Sequence, residues 1–428
     1  MPTATPRRVV VALALLCLSG YVFVYATGRA SHPIRSDGFS YYVYLPSWWL
    51  YHDTTLTAVA SDCCGGTYPD FTAIIRWPGT GRWVNAHPIG VALMQSPLFL
   101  AADALSWWTN LSRDGFTLYY QHAVGLSGLA WAIAGLWTLA GLLERHFSRR
   151  VTIATLAALL FGTNLYHYAT YDSFYSHTYS FFLVAALVDL TLRWDASATR
   201  TRSLLLGLVA GLIVLVRHTN ILTLLVLPLA VGSARGPREA LRLFAERWRS
   251  LFLIVVVAAL VVAPQLALYA RATGHPIVSS YGTLGFDFRS PHLYGVLLSA
   301  QKGVFLWSPL LLLGVIGLFF LRPPLRALLI PTLVVLAADT YLIASWWDWQ
   351  FGASFGHRGF IDLFPLLALG LAGFFEWSAA TRTRLVAVST VVSLMVALST
   401  FQMLQYWNGV LPGSDLTWDA YRSLFLRP

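Results

Sequence analysis

Between its arginines this chain runs apolar for lengths that only a membrane accommodates. Apolar stretches cover 9–27, 118–143, 151–168, 174–192, 251–269, 304–321, 325–344, 361–375 and 385–401. A longer one, 204–231, carries Arg217 and His218 at its middle. About 20 consecutive apolar residues cross the hydrocarbon of a bilayer. Of the 428 residues 57% are hydrophobic and 11% charged, against about 25% charged in an average soluble domain. These proportions exclude a soluble enzyme, a disordered chain and a secreted disulfide scaffold.

The net charge of +10 does not point to nucleic acid, because the positive residues are spread over short loops between apolar runs. Every one is arginine except Lys302. Two ambiguous stretches are settled by charge. If 89–108, which contains Pro97 and Asp103, lies along the membrane surface, and 204–231 is a two-helix hairpin, the arginines collect on one side. Arg7, Arg145, Arg193, Arg235, Arg322 and Arg382 then head the cytoplasmic clusters, as the positive-inside rule requires. The stretch 9–27 is long for a signal core and no clear cleavage site follows it, so it reads as a retained first helix. The expected fold is an all-α polytopic membrane protein with about eleven transmembrane helices, N-terminus cytoplasmic and C-terminus outside. It forms a single transmembrane domain over 1–428, with external segments at 28–117 and 271–303 and an external tail at 402–428. Short loops and heavy arginine usage suggest a prokaryotic inner membrane. Cys63 and Cys64 are adjacent and read as free or oxidisable thiols, since a vicinal disulfide is strained.

All four glutamates fall on the cytoplasmic side, and every histidine except His146 falls outside or within the membrane. Titratable chemistry is therefore concentrated on the external face. The cytoplasmic loops are too short for an ATP-binding domain and no Gly-rich phosphate loop is present, so no nucleotide cofactor is expected. Energy for any reaction must arrive with the substrate. The first external segment opens with Ser36-Asp37-Gly38-Phe39-Ser40-Tyr41-Tyr42. The run 38–51 reads as an amphipathic interfacial helix. Asp37 fits both an N-cap and a catalytic carboxylate. Asn85-Ala86-His87-Pro88-Ile89-Gly90 precedes a second surface helix, 91–108, with Pro88 suited to a helix start. Asp339 lies inside an apolar span, where an ionisable side chain defaults to function or pairing.

An Asp shortly after the first span, surface helices and a His-Pro-Ile motif together resemble the GT-C superfamily of membrane glycosyltransferases. The chain is similar in particular to protein O-mannosyltransferases and the lipid A aminoarabinose transferase, as a short bacterial-type member without a C-terminal soluble domain. The likeness continues in Tyr168-Ala169-Thr170-Tyr171-Asp172, in Lys302-Gly303-Val304-Phe305-Leu306-Trp307-Ser308-Pro309, and in the patch from Trp346 to Arg358. Two departures stand out. The mannosyltransferase pattern pairs two acidic residues where Asp37 is followed by Gly38, and it reads His-Pro-Pro where this chain has His87-Pro88-Ile89.

The resemblance implies transfer of a sugar from a polyprenyl-phosphate carrier to a glycan, lipid or protein acceptor on the non-cytoplasmic face, with inversion. It makes Asp37 the base and Asp172 an orienting carboxylate. Lys302, Arg358 and Arg217 become cations for the lipid phosphate, with interfacial snorkelling or a hairpin turn as their plainer roles. Tyr41, Tyr42, His87, His357 and Trp349 would line the substrate pocket. Some relatives use a divalent metal near the base; Asp37, Asp172, His87 and His177 could hold one here, and a metal-free site stays equally open. Partners are then the lipid-linked donor, the acceptor and membrane lipids. The rival from another class is a transporter or lipid-linked saccharide flippase, which expects functional charges near the bilayer midplane on broken helices.

Overall fold

The computed structural model describes residues 5–61, 73–281, 284–425 and 427. Cys63 and Cys64 lie outside the described residues. The described residues are mostly helical. α1 (Pro6–Ala26) is followed by three short helices, α2 (Asp37–Tyr42), α3 (Tyr44–Trp49) and α4 (Thr57–Ser61). A two-stranded antiparallel hairpin, β1 (Ile74–Arg76) and β2 (Trp83–Asn85), pairs Ile75 with Val84. Then come α5 (Gly90–Trp108), α6 (Leu118–Leu143), α7 (Arg149–Phe161), α8 (Leu165–Thr170), α9 (His177–Ala196) and α10 (Arg200–Val216). A 3-10 turn at His218–Leu225 leads into α11 (Val226–Arg235), α12 (Pro237–Glu246) and α13 (Trp248–Thr273). The remainder comprises α14 (Leu293–Leu298), α15 (Val304–Trp307), α16 (Leu310–Gly317), α17 (Leu329–Ser345), a 3-10 segment at Arg358–Leu363, α18 (Phe364–Ser378), α19 (Arg382–Trp407) and α20 (Trp418–Leu424).

Among the described residues, six helical segments are long and apolar enough to cross a membrane: Pro6–Ala26, Leu118–Leu143, Trp248–Thr273, Leu325–Ser345, Arg358–Ser378 and Arg382–Trp407. Several begin alike. The side chains of Thr5, Ser148, Thr199 and Thr381 each accept a hydrogen bond from a backbone N–H in the first turn of α1, α7, α10 and α19. A Ser or Thr cap is worth about 1 kcal/mol, and each is followed by arginine within the first turn. The segment Arg358–Ser378 is the buried axis of the bundle, whereas α13 and α19 present apolar side chains outward. Val255, Leu260 and Leu394 are each about two-thirds exposed. Surfaces of that kind are stable against lipid, not water.

Glycine permits the closest helix crossing. A Cβ on Gly317 would stand 1.9 Å from the carbonyl oxygen of Gly370, and one on Gly370 would stand 2.0 Å from that of Gly314. Backbone therefore lies on backbone between α16 and α18, the small-residue packing that binds helices when no hydrophobic force separates them from lipid.

Several expectations are corrected. Residues 38–51 do not form one amphipathic helix at an interface. They form α2 and α3, with Phe39, Tyr41, Tyr42 and Tyr44 all buried, because the aromatic density covers every face of the segment. α5 covers the expected stretch and begins one residue earlier, at Gly90. It runs antiparallel along α6: the Trp131 Nε1–H donates to the Met94 carbonyl (3.0 Å), and the Tyr120 hydroxyl donates to Asp103 (2.6 Å). Asp103 is further held by Arg113 and Trp49, which pins the far end of α5. The helix is interrupted where expected at Arg217, and also at Gly162–Asn164 between α7 and α8. The tail starts later than 402, since α19 continues to Trp407 and α20 folds back on it, with Gln402 donating to the Tyr421 hydroxyl (2.8 Å).

Gly370→Val should cost about 1–3 kcal/mol, the usual penalty of overpacking. It is expected to lower the melting temperature of the detergent-purified protein by several degrees. Gly141→Ala, where an added methyl meets nothing within 4 Å, should leave it unchanged. Equal melting of both variants with the parent removes the close crossing as a source of stability.

Candidate functional site

One cavity of about 360 Å³ gathers side chains from five separated stretches of sequence. Asp37 and Tyr41 come from α2, and His87 from the turn after β2. Arg217 and His218 stand where α10 ends. Tyr281 and Phe286 come from the segment after α13, and Trp346, Trp347, Asp348, Phe351 and Arg358 from the segment after α17.

Asp37 is aimed by its neighbours. Ser36 takes the N-cap position of α2 with φ 49° and ψ −137° and makes no side-chain cap bond. A non-glycine residue at positive φ is strained, and such strain persists only where surrounding structure imposes it. Asp37 is thus the first helical residue, not the cap. Gly38 explains why no second acidic residue follows it: a Cβ there would come within 2.4 Å of the Phe174 ring.

The Arg358 guanidinium donates from Nη2 to Asp37 Oδ2 at 2.9 Å. Its Nε and Nη1 are buried and have no hydrogen-bond partner. The Tyr175 ring centroid lies 4.0 Å from its Cζ, and the Phe351 ring lies 5.8 Å away. Burial alone pushes the Asp37 carboxyl up, but the adjacent Arg358 guanidinium, with His87 behind it, holds it below the usual carboxylate range. Asp37 is therefore ionised at neutral pH. Two unsatisfied guanidinium nitrogens in a buried place are an expensive arrangement. An anion in the cavity would satisfy them.

His87 is fixed from its backbone. Its N–H donates to Asn85 Oδ1 (3.0 Å), and its carbonyl accepts from the Tyr44 hydroxyl (2.8 Å). The ring lies 4.2 Å from that of Tyr41, with Nε2 3.1 Å from the Tyr281 hydroxyl and Nδ1 buried without a partner. Burial pushes His87 down to about 4, so it is a neutral imidazole.

Behind the cavity stands a carboxylate that sequence inspection missed. Asp362 accepts from Asn220 Nδ2 (2.9 Å) and lies 2.9 Å from His177 Nδ1. Arg217 Nε is 3.2 Å from Asp362 Oδ2, close enough for an ion pair but off-line for a hydrogen bond, and its Nη1 lies 3.4 Å from His177 Nε2. An arginine only donates, so His177 accepts at Nε2 and carries its proton on Nδ1 toward Asp362. The available signal for Asp362 was an acid one helical turn after Arg358 inside an apolar run.

The structure separates other expected site residues from the cavity. Lys302 is fully buried, and its ammonium donates to Ser354 O (2.5 Å), Ser354 Oγ (2.7 Å) and Gly413 O (2.8 Å). Burial, with Arg358 nearby, pushes it down to about 7. All three of its protons are committed to tying three loops together, so it is not a free phosphate cation. Asp172 is likewise occupied. Arg35 Nη2 donates to Oδ1 (2.7 Å), and His167 Nε2 lies 2.9 Å from Oδ2. The Trp407 indole donates to His167 Nδ1 (2.8 Å), so the His167 proton is on Nε2 and points at Asp172. Tyr42 is buried with its hydroxyl on Gly115 O. His357 donates from Nε2 to Trp349 O (2.9 Å), and Trp349 stacks on His292. None of these three lines the cavity; Trp346 and Trp347 do. Nor do the four residues considered for a metal converge. Asp172 and His177 are held by other partners, and no group of three or more His, Cys, Asp or Glu is placed to hold a metal ion among the described residues.

No protein-family model matches this chain, and no curated protein matches it.

Burial pushes the Asp172 carboxyl up, but His167 and Arg35 outweigh it and hold it at about 2, against 3.8 unperturbed. A depressed carboxylate contributes stability above its unfolded value and loses it as pH falls through the folded one. Asp172→Asn should therefore be less stable than the parent at neutral pH, on the order of 2 kcal/mol. The gap should close between about pH 4 and pH 2. Melting curves of both proteins across that range check this; a gap independent of pH would refute it.

Proposed function

We propose that this protein is a membrane glycosyltransferase that moves a sugar from a polyprenyl-phosphate carrier to an acceptor hydroxyl, with inversion at the anomeric carbon. The observation that carries the reading is the Asp37–Arg358 pair on the cavity wall, with two Arg358 nitrogens still unsatisfied. One guanidinium can hold the base with Nη2 while its Nε and Nη1 keep N–H donors for a phosphate oxygen in the cavity.

In the proposed reaction the acceptor O–H gives its proton to Asp37. The acceptor oxygen forms a bond to the anomeric carbon as the bond from that carbon to the phosphate oxygen breaks. The electron pair leaves with the phosphate, whose growing charge Arg358 and Arg217 stabilise. Asp37 then loses the proton to water. Asp362 and His177 hold Arg217 against the wall, and neutral His87 is placed to accept a hydrogen bond from a substrate hydroxyl. Tyr281, Trp346 and Trp347 offer ring faces to sugar or isoprenoid.

Within this reading the six long helices are joined by five broken or shorter apolar segments, α7–α8, α9, α10, 218–235 and 304–320, to give eleven crossings. The arginine-capped starts of α7, α10 and α19 then face the cytoplasm, and the cavity opens at the outer leaflet of an inner membrane.

Asp37→Asn should lower sugar transfer by about 10²–10⁴-fold, the usual contribution of a positioned base, while binding of the polyprenyl-phosphate sugar persists. Arg358→Lys, which keeps the charge but replaces three donor nitrogens by one, should instead weaken donor binding. The check is turnover and donor affinity of each purified variant reconstituted with lipid-linked sugars. Full turnover by Asp37→Asn would remove the mechanism.

A further inference from the structure

A second cavity, of about 820 Å³, lies at the other end of the same helices. α9 reaches from His177, behind the first cavity, to Asp195 on the wall of the second. That is about 27 Å at helical rise. α10 makes the same passage from Arg217 back to Arg202, and α17 from Ile343 back to Ile330. The separation is close to the hydrocarbon thickness of a bilayer, so the two cavities stand near opposite membrane faces.

We propose that this second cavity binds a phosphate-bearing anion, supplied by the headgroup of an anionic phospholipid. The proposal does not depend on the transferase reading. Arg145, Arg193, Arg202 and Arg326 line the cavity together with His146 and one carboxylate, Asp195. Asp195 is already paired with Arg235, which approaches to 2.9 Å. Arg145 and Arg193 share a single carboxylate, Asp189. Arg202 spends Nη1 on the carbonyls of Arg193 (2.6 Å) and Ser197 (2.8 Å), contacts that fix its direction without neutralising it. The Arg326 side chain makes no ion pair or hydrogen bond among the described residues. The wall therefore keeps positive charge in excess of its carboxylates, and two of its guanidinium groups have donors to spare.

The shape selects among anions. No phenyl, phenol or indole ring lines this cavity to stack a nucleobase. Its remaining wall includes Leu192, Leu329 and Ile330, and Ile330 is 53% exposed on the outer face of α17. A headgroup phosphate among the arginines would lay its acyl chains on that apolar face. Basic pockets between transmembrane helices bind anionic lipid headgroups in this way.

The test uses detergent-purified full-length protein titrated with dioctanoyl phosphatidylglycerol, dioctanoyl phosphatidylcholine or inorganic phosphate, read by native mass spectrometry and thermal melting. Phosphatidylglycerol should bind saturably and raise the melting temperature, and phosphatidylcholine should not. Arg326→Gln, which breaks no internal contact, should weaken phosphatidylglycerol about tenfold, the loss of one charge-assisted hydrogen bond. Arg384→Gln is the control, since that guanidinium rests on Trp377 outside the cavity. Inorganic phosphate that binds alone and is weakened equally by Arg326→Gln would keep the site and name free phosphate as its ligand. Equal binding of phosphatidylcholine, or phosphatidylglycerol binding that Arg326→Gln and Arg384→Gln leave equally strong, would overturn the proposal.

Discussion

A carboxylate and a guanidinium, 321 residues apart in the chain, meet at 2.9 Å in the wall of a largely apolar bundle. Neither group is tolerable there alone, because an unpaired charge in a low-dielectric interior costs several kcal/mol. Their pairing therefore constrains both segments that carry them. On one side it explains the tight entry to α2, with Ser36 strained and Gly38 bare against Phe174. On the other it explains the irregular run from Trp346 to Arg358, where Phe351 and Gly352 take positive φ. The Lys302 ammonium fastens that run at Ser354, four residues before Arg358. The pair and its two approaches form one mechanical unit.

The same economy governs the other buried charges. Asp172 is satisfied by Arg35 and His167, and His167 is oriented in turn by the Trp407 indole. Asp362 is satisfied by Asn220, His177 and Arg217. In both clusters a neutral histidine bridges, its tautomer set by a neighbour that can only donate. Both oxygens of each of these carboxylates are already held by internal donors, which ties them to structure and not to a substrate proton. Asp37 differs because only Oδ2 is engaged among the described residues, and it stands on a cavity. Of Asp37, Asp172 and Asp362, Asp37 alone combines a place on the cavity wall with one carboxylate oxygen still open to a substrate proton.

What the sequence made legible follows from cost. A charge inside or beside an apolar run must be used, so Asp37, Arg217 and Arg358 could be picked out without coordinates, and all three line the cavity. His87 could be picked out only through the resemblance that its His-Pro-Ile motif carries, since a lone histidine before a helix start means little. What cost cannot show is how the charge is used. Lys302 and Asp172 are as costly as Arg358, yet they are spent on internal partners supplied by Ser354, Gly413, Arg35 and His167, from distant stretches of chain. Asp362 went unnoticed because one acid in an apolar run gives no hint of its three partners. The aromatic residues were harder still. Tyr41 and Tyr42 are neighbours of one type, but a helical step of 100° sends one to the cavity and the other to the Gly115 carbonyl.

Helix ends, not helix centres, carry the polar work in this architecture. α10 stops at Arg217 because the guanidinium leaves the helical path to meet Asp362, and the freed backbone turns through a 3-10 segment beside the cavity. The Arg358–Leu363 turn likewise precedes α18, so Arg358 and Asp362 lie on a tightened first turn of the most buried segment. A charged side chain at the middle of a regular helix has to find its partner on a neighbouring helix at the same depth. At a terminus the unpaired backbone groups already require polar company, and the added cost of a charge is smallest. Interrupted helices thus place arginine and aspartate within the depth of an apolar bundle while leaving its lipid-facing surface uniformly apolar.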